Sequence, residues 1–183
     1  MPLYGWLVGL GACKEALEWV HAGNYTTLPK TWRECHRADW LLWLAKKNVG
    51  KPGWPTREEV ALAECDCAET VLKYVPKGED RPRIAIETRR AWAVGEATED
   101  ECQDAAKGAF ASAEDACFSA EAAAHSAAVA ASAHYSVGPD DDAAEDASSY
   151  AADAVVTAGY SRKRSLRKMA TIVRRRLKPG SMG

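Results

Sequence analysis

TWRECHRADWLLWLA, Thr31 to Ala45, contains neither glycine nor proline and places its large apolar residues at helical spacing. Thr31 followed by Glu34 fits a capping box, which predicts one helix from Thr31 to about Ala45. Wound as a helix, Trp40, Leu41 and Leu44 form an apolar stripe, and Trp32, His36, Asp39 and Trp43 share the neighbouring face. A carboxylate and an imidazole thereby sit between two indoles. A half-buried Asp39 is costly unless a cation or several donors meet it, so its partner is expected on another helix.

On the N-terminal side, residues 1–10 are apolar but interrupted by Pro2, Gly5 and Gly9, which predicts a short strand, a turn or a packed tail. Gly11 to Ala22 reads as a helix stopped by Gly23 and Asn24. On the C-terminal side, Gly50, Pro52, Gly53 and Pro55 make a rigid loop on which Trp54 is expected to be exposed. Thr56 with Glu59 opens a helix expected to reach about Tyr74, before Pro76. Asp80 reads as the N-cap of a helix with Pro82 in its first turn and Gly95 at its close; Thr98 with Glu101 starts the next.

Repeated helix starts and almost no period-two alternation predict an all-α fold. We expect a single-domain bundle of six or seven helices over residues 1–183, since a chain of this length suffices for one core and is short for two. Its composition divides into a Trp-rich half (1–95), acidic Ala-rich helices (96–159) and a basic C-terminal helix and tail (160–183). Alanine has the highest helix propensity but buries little area, so the middle segment should form long, closely approaching helices. Phe110, Phe118, Val129, Tyr135, Tyr150 and Val155 are its bulky anchors, and the break is expected at Gly138 and Pro139. Acids dominate from Glu96 to Asp153, where Lys107 is the lone base, whereas Ala154 to Gly183 carries bases and no acid. In the last helix Leu166, Met169, Ala170, Val173 and Leu177 form an inner stripe, with solvated charges outside it and the acidic helices beside it.

The net charge of −2 predicts no general affinity for nucleic acid. No segment reaches the run of apolar residues needed to span a membrane, and the six cysteines are scattered, so a cytoplasmic protein with reduced, buried thiols is expected. Cys65 and Cys67, two residues apart on a helix, should point in different directions, which makes a poor metal pair. No cofactor is implied.

Chemistry concentrates in Asp80-Arg81-Pro82-Arg83 with Glu87 and Arg90. Arg83, Glu87 and Arg90 share a helix face, and Arg81 and Arg83 lie in the first turn, where free N–H groups also attract anions. Together they suit a carboxylate or phosphate, whether of a ligand or of Asp39 or Asp66 in this chain. The alternative is an internal salt-bridge network. Cys35, His36 and Asp39 carry the letters of a catalytic set, but neighbours on a helix point about 100° apart, which disfavours proton exchange between Cys35 and His36. The seven tryptophans suit a dense core, with some left to stack on a planar anion.

The series ACKEALEWV (Ala12 to Val20), TWRECHRADWLLWLA, ECDCAETVLKYVPKGEDRPRIAIETRRAWAVGEAT (Glu64 to Thr98), an Ala-rich middle and IVRRRL (Ile172 to Leu177) resembles the immunity-protein-like family of bacteria and their phages. The resemblance implies an all-helical, non-catalytic antidote that binds a protein toxin or effector. It implies a polar motif at Arg37, Asp39, Asp66, Arg81, Arg83 and Glu87. The alternative function is a sponge for an anionic, nucleotide-like small molecule, held by Trp32, His36, Trp43 and Arg90 with that motif; third comes a small-molecule enzyme using His36 or a carboxylate. Assembly into a homo-oligomer is compatible with each.

Overall fold

The computed structural model describes residues 3–114, 116, 122, 123, 126, 127, 129, 130, 147–158 and 160–178. Among these, nine α-helices are delimited and there is no strand. They are α1 (Leu3–Gly9), α2 (Lys14–Ala22), α3 (Leu28–Glu34), α4 (Ala38–Lys46), α5 (Arg57–Glu69), α6 (Arg81–Ala93), α7 (Glu99–Glu114), α8 (Ala147–Thr157) and α9 (Arg162–Arg176), with a 3-10 turn at Leu72–Tyr74. The expected count of six or seven is therefore too low, for two local reasons.

The first is α1. Each glycine in a helix costs about 1 kcal/mol relative to alanine, but Leu3 and Leu7 are buried against the main core and burying each leucine is worth about 1.5–3 kcal/mol. Burial wins, and a helix forms where a strand or tail was expected.

The second is a break in the Thr31 to Ala45 segment. Residues 35–37 are not helical: Cys35 has φ −64° and ψ 127°, and Arg37 has φ −107° and ψ 105°. The helix start also lies upstream of the expected one, at the extended Thr27 with Pro29 in the first turn, where its missing N–H costs nothing. Thr31 is then inside α3, its hydroxyl donating to the carbonyl of Thr27 at 2.8 Å instead of capping.

The other boundaries follow the expected chemistry more closely. Thr56 and Glu59 form a reciprocal capping box, and so do Thr98 and Glu101. The α5 helix ends at Glu69, short of Tyr74, and passes into the 3-10 turn. Gly95, at φ +80°, closes the turn after α6 in the left-handed region that side-chain-bearing residues adopt only with strain. The expected break at Gly138 and Pro139 and the anchors Phe118 and Tyr135 lie outside the described residues.

α5 is the central element, packing against α4, α6, α8 and α9. It accordingly lacks one apolar stripe: Val60, Ala61, Ala63, Glu64, Cys65, Cys67 and Ala68 are all buried. Cys67 joins the main core with Leu41, Leu42, Met169 and Val173, while Cys65 faces Ile86, so the two thiols do diverge. The inner stripe of α9 is buried as expected, from Leu166 to Leu177. That helix lies beside α8 and also against α4 and α5. Ala85 of α6 meets Ala106 and Ala109 of α7, where the absence of larger side chains lets the two backbones approach. No helix among the described residues is long and apolar enough to cross a membrane.

Candidate functional site

The helix break decides the surroundings of Asp39. With residues 35–37 extended, Arg37 folds back and holds Asp39 with one edge of its guanidinium, Nε to Oδ1 at 2.9 Å and Nη2 to Oδ2 at 2.5 Å. Two residues apart on a continuous helix, these side chains would diverge. Asp39 also occupies the first turn of α4, where the helix dipole favours an anion. Its partner therefore comes from the adjoining link and not from another helix, contrary to expectation. Arg37 carries the connection further, through Nη1 to Glu15 of α2 at 2.9 Å and by stacking its Cζ 4.4 Å from the Trp40 ring centroid. The Asp39 hydrogen bonds, with Glu15 behind them, raise the Arg37 pKa above its already high ordinary value.

A second knot joins three helices. Asp66 of α5 accepts from Arg90 of α6 through Oδ1 at 3.0 Å and from Arg176 of α9 through Oδ2 at 2.7 Å. Arg90 also reaches Glu69 at 2.7 Å, which lowers the Glu69 pKa. Asp66 and Arg90 thus meet as the sequence suggested. The second guanidinium comes from Arg176, which the sequence did not single out, and not from Arg81 or Arg83.

Arg81 turns back to Glu79, with Nε to Oε1 at 2.9 Å and its own backbone N–H to the same oxygen at 3.0 Å. Glu79 therefore serves the start of α6, where the expected N-cap Asp80 makes no side-chain cap hydrogen bond. Arg83 and Glu87 are exposed on α6; the charge of Arg83 contributes to the depression of Glu69. The guanidiniums opening α6 accordingly do not converge on Asp39, and the single hub expected between the two segments resolves into three separate pairings.

The indoles are structural. Trp32 is 6 % exposed, with its ring edge-on to Trp54 at 6.5 Å, and Trp54 lies 6.1 Å from Trp6. Trp54 is half-buried between them, a correction to its expected exposure. Trp43 is also half-buried against the main core. His36 is exposed on the link, and its pKa is lowered by desolvation and by the charges of Arg167, Arg174 and Lys163 on α9. Burial pushes the Cys35 thiol up to about 11 and the Cys65 thiol up to about 12, so neither is a thiolate at neutral pH. Among the described residues no three His, Cys, Asp or Glu side chains group as metal ligands would.

Three further charged positions make contacts that the sequence reading did not assign. Lys46 of α4 pairs with the buried Glu64 of α5, and Arg174 of α9 donates to the carbonyl of Cys35, meeting a backbone group that the helix break exposes. Arg89 of α6 is buried against Trp92. Its spacing of three from that tryptophan was a readable signal; the other two depend on distant parts of the chain.

Residues 55–178 match the family model described as "Imm-5 like putative immunity protein". No curated protein and no solved structure matches the chain. The matched span covers α5 to α9 and includes the Asp66, Arg90 and Arg176 knot, whereas Asp39 and the first four helices precede it. With two thirds of its length on that model, and with a helical fold built around the matched span, the chain belongs to the Imm-5 like immunity protein family.

Proposed function

We propose that this protein is a non-catalytic binder that neutralises a toxin or effector protein by covering it, and that it does so in the cytoplasm. Membership of the immunity-protein family carries this reading. The disposition of charge supports it. Arg37, Arg81, Arg90 and Arg176 are each answered by a carboxylate of the same chain, so those guanidiniums serve cohesion. The exposed acids of α7 other than the capping Glu101, namely Asp100, Asp104 and Glu114, remain for a partner. Lys107, paired with Asp104, is the one base among them. A basic partner fits this surface, because complementary charge accelerates encounter and fixes orientation.

Co-expression with a growth-arresting toxin from the same source cell tests the reading. The wild type should restore growth, and the D100K/D104K/E114K variant, which spares the Glu101 cap, should fail to do so while keeping its helical circular dichroism. Equal rescue by that variant would refute the acidic surface. No rescue by the wild type, with a nucleotide raising its Tm, would replace the antidote with a small-molecule sponge.

A further inference from the structure

A buried guanidinium is destabilising unless acceptors meet its N–H groups. Arg89 is 1 % exposed, and its Nε and Nη1 have no hydrogen-bond acceptor. Its Cζ lies 3.7 Å from the centroid of Trp92, and the Cζ of Arg57, from the first turn of α5, lies 5.5 Å from the same ring. Between the two cations stands Glu99, in the first turn of α7. Its Oε2 is 3.5 Å from Arg89 Nη1, and its Oε1 is 3.4 Å from Arg57 Nη2. Charge-assisted N–H···O contacts close at about 2.7–2.9 Å, so the 3.4 Å hydrogen bond from Arg57 and the 3.5 Å approach to Arg89 hold this carboxylate only loosely. The Thr56 hydrogen bond has the largest part in lowering the Glu58 pKa, and Glu58 is also near enough for the charges of Arg57 and Arg89 to help lower it. Cys102 adds only a thiol, which donates to the carbonyl of Thr88 at 3.7 Å.

We propose that Arg89, Arg57 and Trp92 form an oxyanion seat in which Glu99 is a displaceable internal stand-in, and that its ligand is the phosphate group of a small molecule. Arg89 forms the floor. The rim consists of Arg57 and Glu99, whose side chains are 44 % and 40 % exposed, so Glu99 can leave by rotating its own side chain. A phosphate has more acceptor oxygens and more charge than the carboxylate it replaces, and it matches two forked donors at once. The acids Asp100 and Glu101 nearby are exposed and screened by solvent, whereas the guanidiniums are in direct contact. The seat is separate from the Asp66 knot, since Arg89 and Arg90 are consecutive on α6 and point about 100° apart.

The test is a thermal-shift titration of the whole chain with inorganic phosphate, against sodium chloride of equal ionic strength, for the wild type, E99A and E99Q. With the stand-in removed, E99A should bind phosphate about tenfold tighter than the wild type. E99Q reports the same loss of charge with the side chain's bulk kept. Adding R57M, at the exposed rim, should cancel the gain, and acetate should be weaker than phosphate. The proposal fails if phosphate raises the Tm of E99A and E99Q no more than chloride does, if R57M leaves the gain intact, or if acetate serves equally well. The growth-rescue result stands independently of each outcome.

Discussion

The first four helices and the last five bury their surfaces in different ways. α1 to α4 are short, seven to nine residues each, and aromatic rings hold them together. Trp6, Trp54 and Trp32 form one chain of ring contacts, and Tyr25, Trp19 and Trp40 form another. One such side chain buries about 150–250 Å², so a helix of two turns is enough to anchor it. α5 to α9 run from 11 to 16 residues; α5 to α8 bury mainly alanine and cysteine, α9 adds its Leu, Met and Val stripe, and ion pairs cross between them. A small side chain buries little, so the second region needs length and close backbone approach to gain what the first gains from a few rings. The family match begins where the aromatic region ends.

The largest effect is expected at Trp32. Removing its ring by W32A should cost about 3–5 kcal/mol in urea unfolding, the range for deleting a buried aromatic. A cost below 1 kcal/mol would show that the ring chain is not what holds the first region. The opposite substitution probes the second region: A109L inserts bulk where α6 and α7 meet through Ala85, Ala106 and Ala109, and overpacking should cost about 1–3 kcal/mol. A neutral A109L would mean that the approach of these helices is looser than their small residues imply.

Much of this was legible locally. The capping boxes at Thr56 and Thr98, the inner stripe of α9 and the meeting of Asp66 with Arg90 follow from residues a few positions apart or from the pairing rule for half-buried charge. The interruption at Cys35 to Arg37 was not legible, because no glycine or proline marks it. The carbonyl it frees is met by Arg174, 139 residues further along the chain. Arg176 likewise meets Asp66 across 110 residues. Glu79 was overlooked because the usual N-cap preference points to its neighbour Asp80, while the longer side chain can reach the Arg81 backbone and guanidinium together.

The smallest effect is one of pH. The hydrogen bond from the Arg81 side chain, followed by the Arg81 backbone N–H, holds the Glu79 carboxyl down at about 2, against an ordinary value of 4.5. A carboxyl lowered by folding stabilises the fold above its ordinary value, and that contribution is lost as pH falls from there through about 2. E79Q should remove this part of the acid slope. At neutral pH it should cost under about 1 kcal/mol, because solvent screens the pair. An unchanged acid limb in E79Q would place the titration elsewhere.

The cohesion attributed to charge in α5 to α9 rests on Asp66 as the acceptor that draws α6 and α9 onto α5. A double-mutant cycle of D66N and R176Q, read by urea unfolding, measures that link. The two single variants should each destabilise, and together they should cost about 1 kcal/mol less than the sum of the separate costs. Strict additivity would mean that Asp66 and Arg176 do not act on each other, and that α9 is held to the central helix by its apolar stripe alone.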